Sequence, residues 1–202
     1  MKKKPVYYIA FFAVLVVGFF LTLSKLIPGF AATTVPPVGY VQPFHFITQD
    51  GTSFTDKDVA GKVFVAEYFF TTCKGICPRL NTNMRKVYDR YKDEKDFYIL
   101  SHTCNPETDS APRLKRYADS MGIATNRWIF LTGKKDSLYY QARLSYHIDD
   151  PKNNLTSIED DFLHTQFFAL INKKGEVRKI YDGLKQSEVD EMINDIDKLL
   201  KE

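Results

Sequence analysis

The stretch "KVFVAEYFFTTCKGICPRL", residues 62–80, decides the fold. Its first nine residues are a nearly continuous run of apolar, β-branched and aromatic side chains, as expected of a strand buried on both faces of a sheet. Pro78 marks where a helix starts, because proline is tolerated in a first helical turn and pushes the residue before it off helical angles. Cys77 therefore stands at or near the helix start, with Cys73 in the loop just before. Leu80, Met84, Val87, Tyr88 and Tyr91 follow at helical spacing and predict an amphipathic helix.

Two further strands alternate with helices downstream. "DFYILSHT" (96–103) and "WIFLT" (128–132) read as strands. Between them, Leu114, Tyr117, Ala118 and Met121 share one helix face, with Asp109 or Ser110 as the expected cap and Pro112 in the first turn. A short helix is expected around 135–144. Upstream, "HFITQDGTSFT" (45–55) places the turn signal Asp50-Gly51 between two short strands. At the end, "TQFFALINKKGEVRKIYDG" (165–183) predicts an antiparallel hairpin turning at Asn172 to Gly175. Val189, Met192, Ile193, Ile196, Leu199 and Leu200 predict a closing helix capped by Ser187. Hairpin, βαβαβα, hairpin and helix together predict an α/β, thioredoxin-like fold with a largely parallel sheet centre.

The N-terminus is different in kind. "VYYIAFFAVLVVGFFLTL" (6–23) has no charged side chain and is long enough for a helix to cross a hydrocarbon core of roughly 30 Å. Lys2, Lys3 and Lys4 precede it, so the positive-inside rule predicts a cytoplasmic N-terminus and an extracytoplasmic, periplasm-side domain on a single-pass cell-membrane anchor. A cleaved signal peptide is the rival reading, but this run exceeds the usual apolar core of about 7–15 residues. The expected organisation is an anchor over 1–32, a proline-rich linker over 33–44 and a domain over 45–202. Of the 28 lysines and arginines, four precede residue 33, leaving 24 against 25 acidic residues in the remainder. That near-neutral balance argues against nucleic-acid binding.

Cys73 and Cys77 near the positive end of a helix dipole favour thiolates, which suits nucleophilic attack and metal ligation alike. An extracytoplasmic compartment also permits a disulfide. Three residues intervene where a thioredoxin-type redox motif has two. One cysteine pair falls short of a closed zinc site, whereas two thiolates with an imidazole suit copper, as Cu(I) or Cu(II). The candidate imidazoles are His45, His102, His147 and His164. His164 stands where the chain enters the final hairpin, beside the expected place of the cysteine loop. His147 lies at the edge of the acidic stretch 149–161. Met84 is expected in the core, since its place in the helical stripe accounts for it.

"FFTTCKGICPRLNTNM", "SHTCNPETDSAPRLKRYA", "RWIFLTG" and "DFLHTQFFALINKKGEVRKIYDG" resemble, in this order, the Sco/SenC family of membrane-anchored, thioredoxin-like copper proteins. The resemblance implies a metallochaperone for the CuA centre of cytochrome c oxidase subunit II, with Cys73, Cys77 and His164 as copper ligands. It also implies partners that donate copper or, like thioredoxin, reduce the cysteine pair. Two positions depart from the family pattern: Asn105-Pro106 stands for Asp-Pro, and Leu163 for an Asp before the histidine. Asp161 is the candidate substitute for the latter. Cys104, at the end of a central strand, is either a buried small hydrophobe or a third thiol able to pair transiently with Cys73 or Cys77. Two other functions use the same residues. One is a thiol-disulfide oxidoreductase working on partner cysteines before metal insertion; the other is a copper or redox sensor.

Overall fold

The computed structural model describes residues 4–26, 36–150, 152, 163 and 165–202. It divides into two units, residues 1–36 and 37–202. The first contains helix α1 (Lys4–Leu26), whose segment Val6–Leu26 is long and apolar enough to cross a membrane. At 1.5 Å per residue, those residues span about 31 Å.

The second unit is built on one eight-stranded sheet. Its strands are β1 (Gly39–Tyr40), β2 (His45–Thr48), β3 (Ser53–Thr55), β4 (Val63–Phe69), β5 (Phe97–Thr103), β6 (Trp128–Thr132), β7 (Phe167–Ile171) and β8 (Glu176–Asp182). Their spatial order is β1-β8-β7-β4-β5-β6-β2-β3. The centre, β4, β5 and β6, is parallel, because α2 (Cys77–Tyr91) and α3 (Ala111–Ser120) provide the crossovers. Both flanks are antiparallel: β7 and β8 form the terminal hairpin, and β2 and β3 form the early one, turning at Gly51 with φ 77°.

Strand β4 is buried along its whole length, so alternate residues feed two cores. Val63, Val65 and Phe69 pack under α2, α3 and α5 (Gln186–Lys201), against Leu80, Met84, Leu114 and Met192. Met84 is fully buried, and truncating it to alanine would cost about 2–5 kcal/mol. Phe64, Ala66 and Tyr68 face the other core, with Phe46, Leu138, Tyr139 and Tyr146. There the short helix α4 (Lys135–Tyr140) runs into one π turn, Gln141–Ser145.

Two local expectations are corrected. Val38 to Val41 do not stay clear of the domain: Val38 N–H bonds to the Val177 carbonyl and Val41 N–H to that of Gly175, making β1 an edge strand on β8. Pro36, Pro37 and Pro43 lie outside that stretch, so its N–H groups remain available. Ser187 is inside α5, whose N-cap is Lys185; the Glu188 carboxylate instead turns back to accept the Asp182 N–H at 2.6 Å. Ser110, one of the two expected candidates, is the N-cap of α3 and makes no side-chain cap bond, while the Asp109 carboxylate accepts from Thr71 and Thr103.

Candidate functional site

Residues 70–76 carry the chain from β4 into α2 at the C-terminal edge of the parallel strands. Ile76 is the helix N-cap, Cys77 the first helical residue and Pro78 the second. The Cys73 N–H closes a turn on the Phe70 carbonyl at 3.1 Å. All three cysteines are free thiols.

The two loop cysteines are electrostatically unequal. Partial burial pushes the Cys73 thiol up. The Cys77 thiol and the backbone N–H groups of Cys77, Gly75 and Ile76 donate to its sulfur and outweigh that, leaving its pKa below the ordinary 9.0. Cys77 is 4% exposed. Burial first, then the bond it donates to Cys73 and the neighbouring negative charges of Cys73 and Glu67, push its thiol up to about 12. Of the two, Cys73 is the more accessible and the more readily ionised, whereas Cys77 keeps its proton at neutral pH.

A buried carboxylate fixes the base of the loop. Asp109, 0% exposed, accepts from the Thr71 N–H at 3.0 Å, the Thr71 hydroxyl at 2.5 Å and the Thr103 hydroxyl at 2.6 Å. Arg113 Nε donates to Thr71 Oγ1 at 2.7 Å and lies 3.6 Å from Asp109. Loop, strand β5 and helix α3 are thereby tied at one point, two residues from Cys73. A second carboxyl, Glu67, lies in the core beneath α2. Ser101 Oγ donates to its Oε1, Trp128 Nε1 donates to Ser101 Oγ at 2.7 Å, and Oε2 has no partner among the described residues. Burial raises Glu67 to about 7, opposed by the Ser101 bond.

The SCO1/SenC family profile matches residues 33–201. The chain belongs to the SCO1/SenC family. It is 31% identical over 165 residues to the "SCO1 protein homolog" of Bacillus subtilis, covering 79% of this chain and 83% of that protein. The domain superposes with a TM-score of 0.68 and 30% identity on BsSco, described as a Sco-family cytochrome c oxidase assembly protein with a disulfide switch, over 82% of this chain and 96% of that one. The ScoI of Arabidopsis thaliana with copper bound shares the fold at a TM-score of 0.62 and 24% identity, over 81% of this chain and 99% of that one. These likenesses carry the thioredoxin-like fold expected from the sequence.

In this SCO1/SenC domain, the remaining candidates separate by position. His164 and Asp161 lie outside the described residues. The residues flanking His164 are tied to the sheet. Leu163 N–H donates to Tyr139 Oη at 3.1 Å, Tyr139 Oη donates to the Cys104 carbonyl at 2.9 Å, and Cys104 N–H holds the Phe69 carbonyl at 2.8 Å. Thr165 Oγ1 donates to the Ile148 carbonyl at 2.8 Å.

Cys104 is buried in the core opposite α2, and its thiol is pushed well up by burial first and then by the fields of Cys77, Asp109 and Cys73. His147, exposed and with φ 57°, packs its ring against Gly39, where any Cβ would overlap it. His45 Nε2 meets Ser53 Oγ at 2.7 Å on the early hairpin. His102 is fully buried, stacked on Tyr68 at 4.9 Å between ring centroids. Among the described residues, no three His, Cys, Asp or Glu side chains come together as a metal cluster. Asn105 makes the turn after β5, its carbonyl accepting from the N–H groups of Thr108 and Asp109.

Glu67, Asp109 and Tyr139 were not anticipated as site residues. Glu67 left a visible trace, a lone charge inside the apolar run 63–70. The roles of Asp109 and Tyr139 depend on partners 38 and 24 residues away, at Thr71 and Leu163.

Proposed function

We propose that this chain is a membrane-anchored copper carrier that delivers copper to the CuA centre of cytochrome c oxidase subunit II during assembly. Cys73, Cys77 and His164 are its ligands. The observation that carries the reading is the hydrogen-bonded line Phe69–Cys104–Tyr139–Leu163, which brings the residue before His164 to the same sheet edge that bears the cysteine loop. The donors suit the cargo: two soft sulfurs at a helix N-terminus favour Cu(I), and an imidazole extends the site to Cu(II). Partly exposed Cys73 is the ligand a partner would reach first when copper passes by ligand exchange. Membership of the family, a relative described as an oxidase assembly protein and another solved with copper support the assignment. Helix α1 serves as the anchor, with the lysines before it cytoplasmic and the copper domain on the extracytoplasmic side.

The inequality of the two thiols supports a second reading, reduction of a partner's disulfide. The Cys73 thiolate attacks one partner sulfur, a mixed disulfide forms and the partner's S–S bond breaks, releasing a thiolate that takes up a proton. Cys77, deprotonated in turn, attacks Cys73, forming the intramolecular disulfide and releasing the reduced partner. The two electrons come from the cysteine pair, which an external dithiol protein must then reduce.

Anaerobic titration of the reduced full-length chain in detergent with Cu(II) separates these readings. The carrier retains one copper per chain with thiolate-to-copper charge-transfer absorption, abolished in Cys73→Ser/Cys77→Ser and lost or strongly altered in His164→Ala. Oxidation of the pair to a disulfide without retained copper, indifferent to His164→Ala, overturns the carrier in favour of the reductant.

A further inference from the structure

A groove of about 470 Å³ opens beside Cys73, between α2 and the end of α3. Cys73, Pro78 and Thr82 line one side, Tyr117 and Met121 the other, with Trp128 beneath. Its shape is set in advance by two bonds between the helical walls. Asn81 Nδ2 donates to Tyr117 Oη at 2.5 Å, and Arg85 Nη1 donates to the Met121 carbonyl at 2.6 Å. A partner side chain entering it would not have to order the walls first.

Basic side chains outnumber acidic ones on the two helices that wall the groove. Arg79, Arg85, Lys86 and Arg90 on α2 face a single acid, Asp89; Arg113, Lys115 and Arg116 on α3 face Asp119 alone. Arg85 and Lys115 are neutralised by those acids, Arg90 by Asp197 and Arg113 by Asp109. Lys74, Arg79 and Arg116 are exposed and have no ion-pair partner among the described residues. Each is the chain neighbour of a groove residue: Cys73, Pro78 and Tyr117.

We infer that this groove docks an extended, acidic, cysteine-bearing segment of the partner protein, seating an apolar side chain next to that cysteine and presenting its sulfur to Cys73. The inference rests on the proposed function, in which Cys73 is the sulfur that exchanges with the partner. An apolar slot supplies the hold, and three unpaired cations supply the attraction for acidic flanks.

The test uses the full-length Cys77→Ser chain in detergent, so that a mixed disulfide at Cys73 is not resolved. Peptides carry one cysteine activated as a disulfide with 5-thio-2-nitrobenzoate. Attack by the Cys73 thiolate forms the protein–peptide S–S bond, breaks the peptide–aryl one and releases a coloured aryl thiolate. A peptide with leucine beside the cysteine and acidic flanks reacts about tenfold or more faster than its basic counterpart. Its rate relative to a small aryl disulfide falls about tenfold in Thr82→Glu, at an exposed position, and in Lys74→Glu/Arg79→Glu/Arg116→Glu. Equal rates for acidic, neutral and basic peptides, or faster capture of a second copy of the chain, overturn the docking site while leaving Cys73 as nucleophile. Failure of Cys73 to react even with the small disulfide overturns both.

Discussion

Replacing Glu67 with glutamine should change how the stability of the domain depends on pH, by an amount set by one buried carboxyl. Burial lifts Glu67 from an ordinary 4.5 to about 7. Between those values the folded chain keeps a proton that the unfolded chain has released, so wild-type stability falls as pH rises through the window and levels off above it. At about 1.4 kcal/mol per pH unit, the loss attributable to Glu67 is roughly 3 kcal/mol between pH 4.5 and 7. Glutamine does not titrate, so the stability of Glu67→Gln minus that of the wild type should rise by about this amount across the window. Other titrating groups, His102 included, are common to both proteins and cancel. Urea unfolding of the reduced full-length chains in detergent, followed by fluorescence of Trp128, reads the difference directly. Trp128 is the single tryptophan and lies one hydroxyl away from Glu67. A difference that stays flat to within about 1 kcal/mol from pH 5 to 8, or one of opposite sign, would refute a neutral buried Glu67.

His102 should act in the opposite direction. Burial drives its pKa from 6.5 to about 3, so the contribution of the neutral ring is fully present above pH 6.5 and is lost as pH falls towards 3; His102→Phe should show a smaller decline of the urea midpoint over that range. Carboxymethylation of the reduced native chain at pH 7, mapped by mass spectrometry, should label Cys73 at least about tenfold faster than Cys77 or Cys104, and equal labelling would contradict the inequality of the thiols. Asp109→Ala leaves the Thr71 and Thr103 donors without their acceptor and should cost about 2–4 kcal/mol, with Asp109→Asn costing less. In the same variant the labelling preference for Cys73 should shrink; a stability loss with unchanged preference would separate Asp109 from the cysteine loop.

Hydrophobic periodicity made most of the fold legible. The stripe Leu80, Met84, Val87, Tyr88, Tyr91 is the buried face of α2, and the apolar runs at 62–70 and 128–132 are central strands. Such patterns are local consequences of which side chains must leave water, and they survive in a one-dimensional reading. Capping was less legible, because a carboxylate beside a helix start can serve a more distant donor. Asp109 joins Thr71 to Thr103 instead of capping α3, and Glu188 inside α5 accepts the Asp182 N–H. The edge strand at Gly39–Tyr40 was also hidden, since its pairing depends on β8 being exposed beside it and on a glycine that admits the His147 ring.

By itself, the sequence determined that Cys73 and Cys77 bracket the start of a helix after a buried strand, because proline and apolar runs act through local backbone geometry and burial. It also supplied a candidate membrane helix and the resemblance that names the ligands. Only the tertiary structure decided which thiol ionises more readily, because that depends on which sulfur receives the donors and which is buried. The same holds for the neutral carboxyl of Glu67, the Asp109 clamp and the Tyr139 bridge to Leu163. Each is a balance of desolvation and hydrogen bonding among residues far apart in the chain, and that balance exists only once the sheet has brought them together.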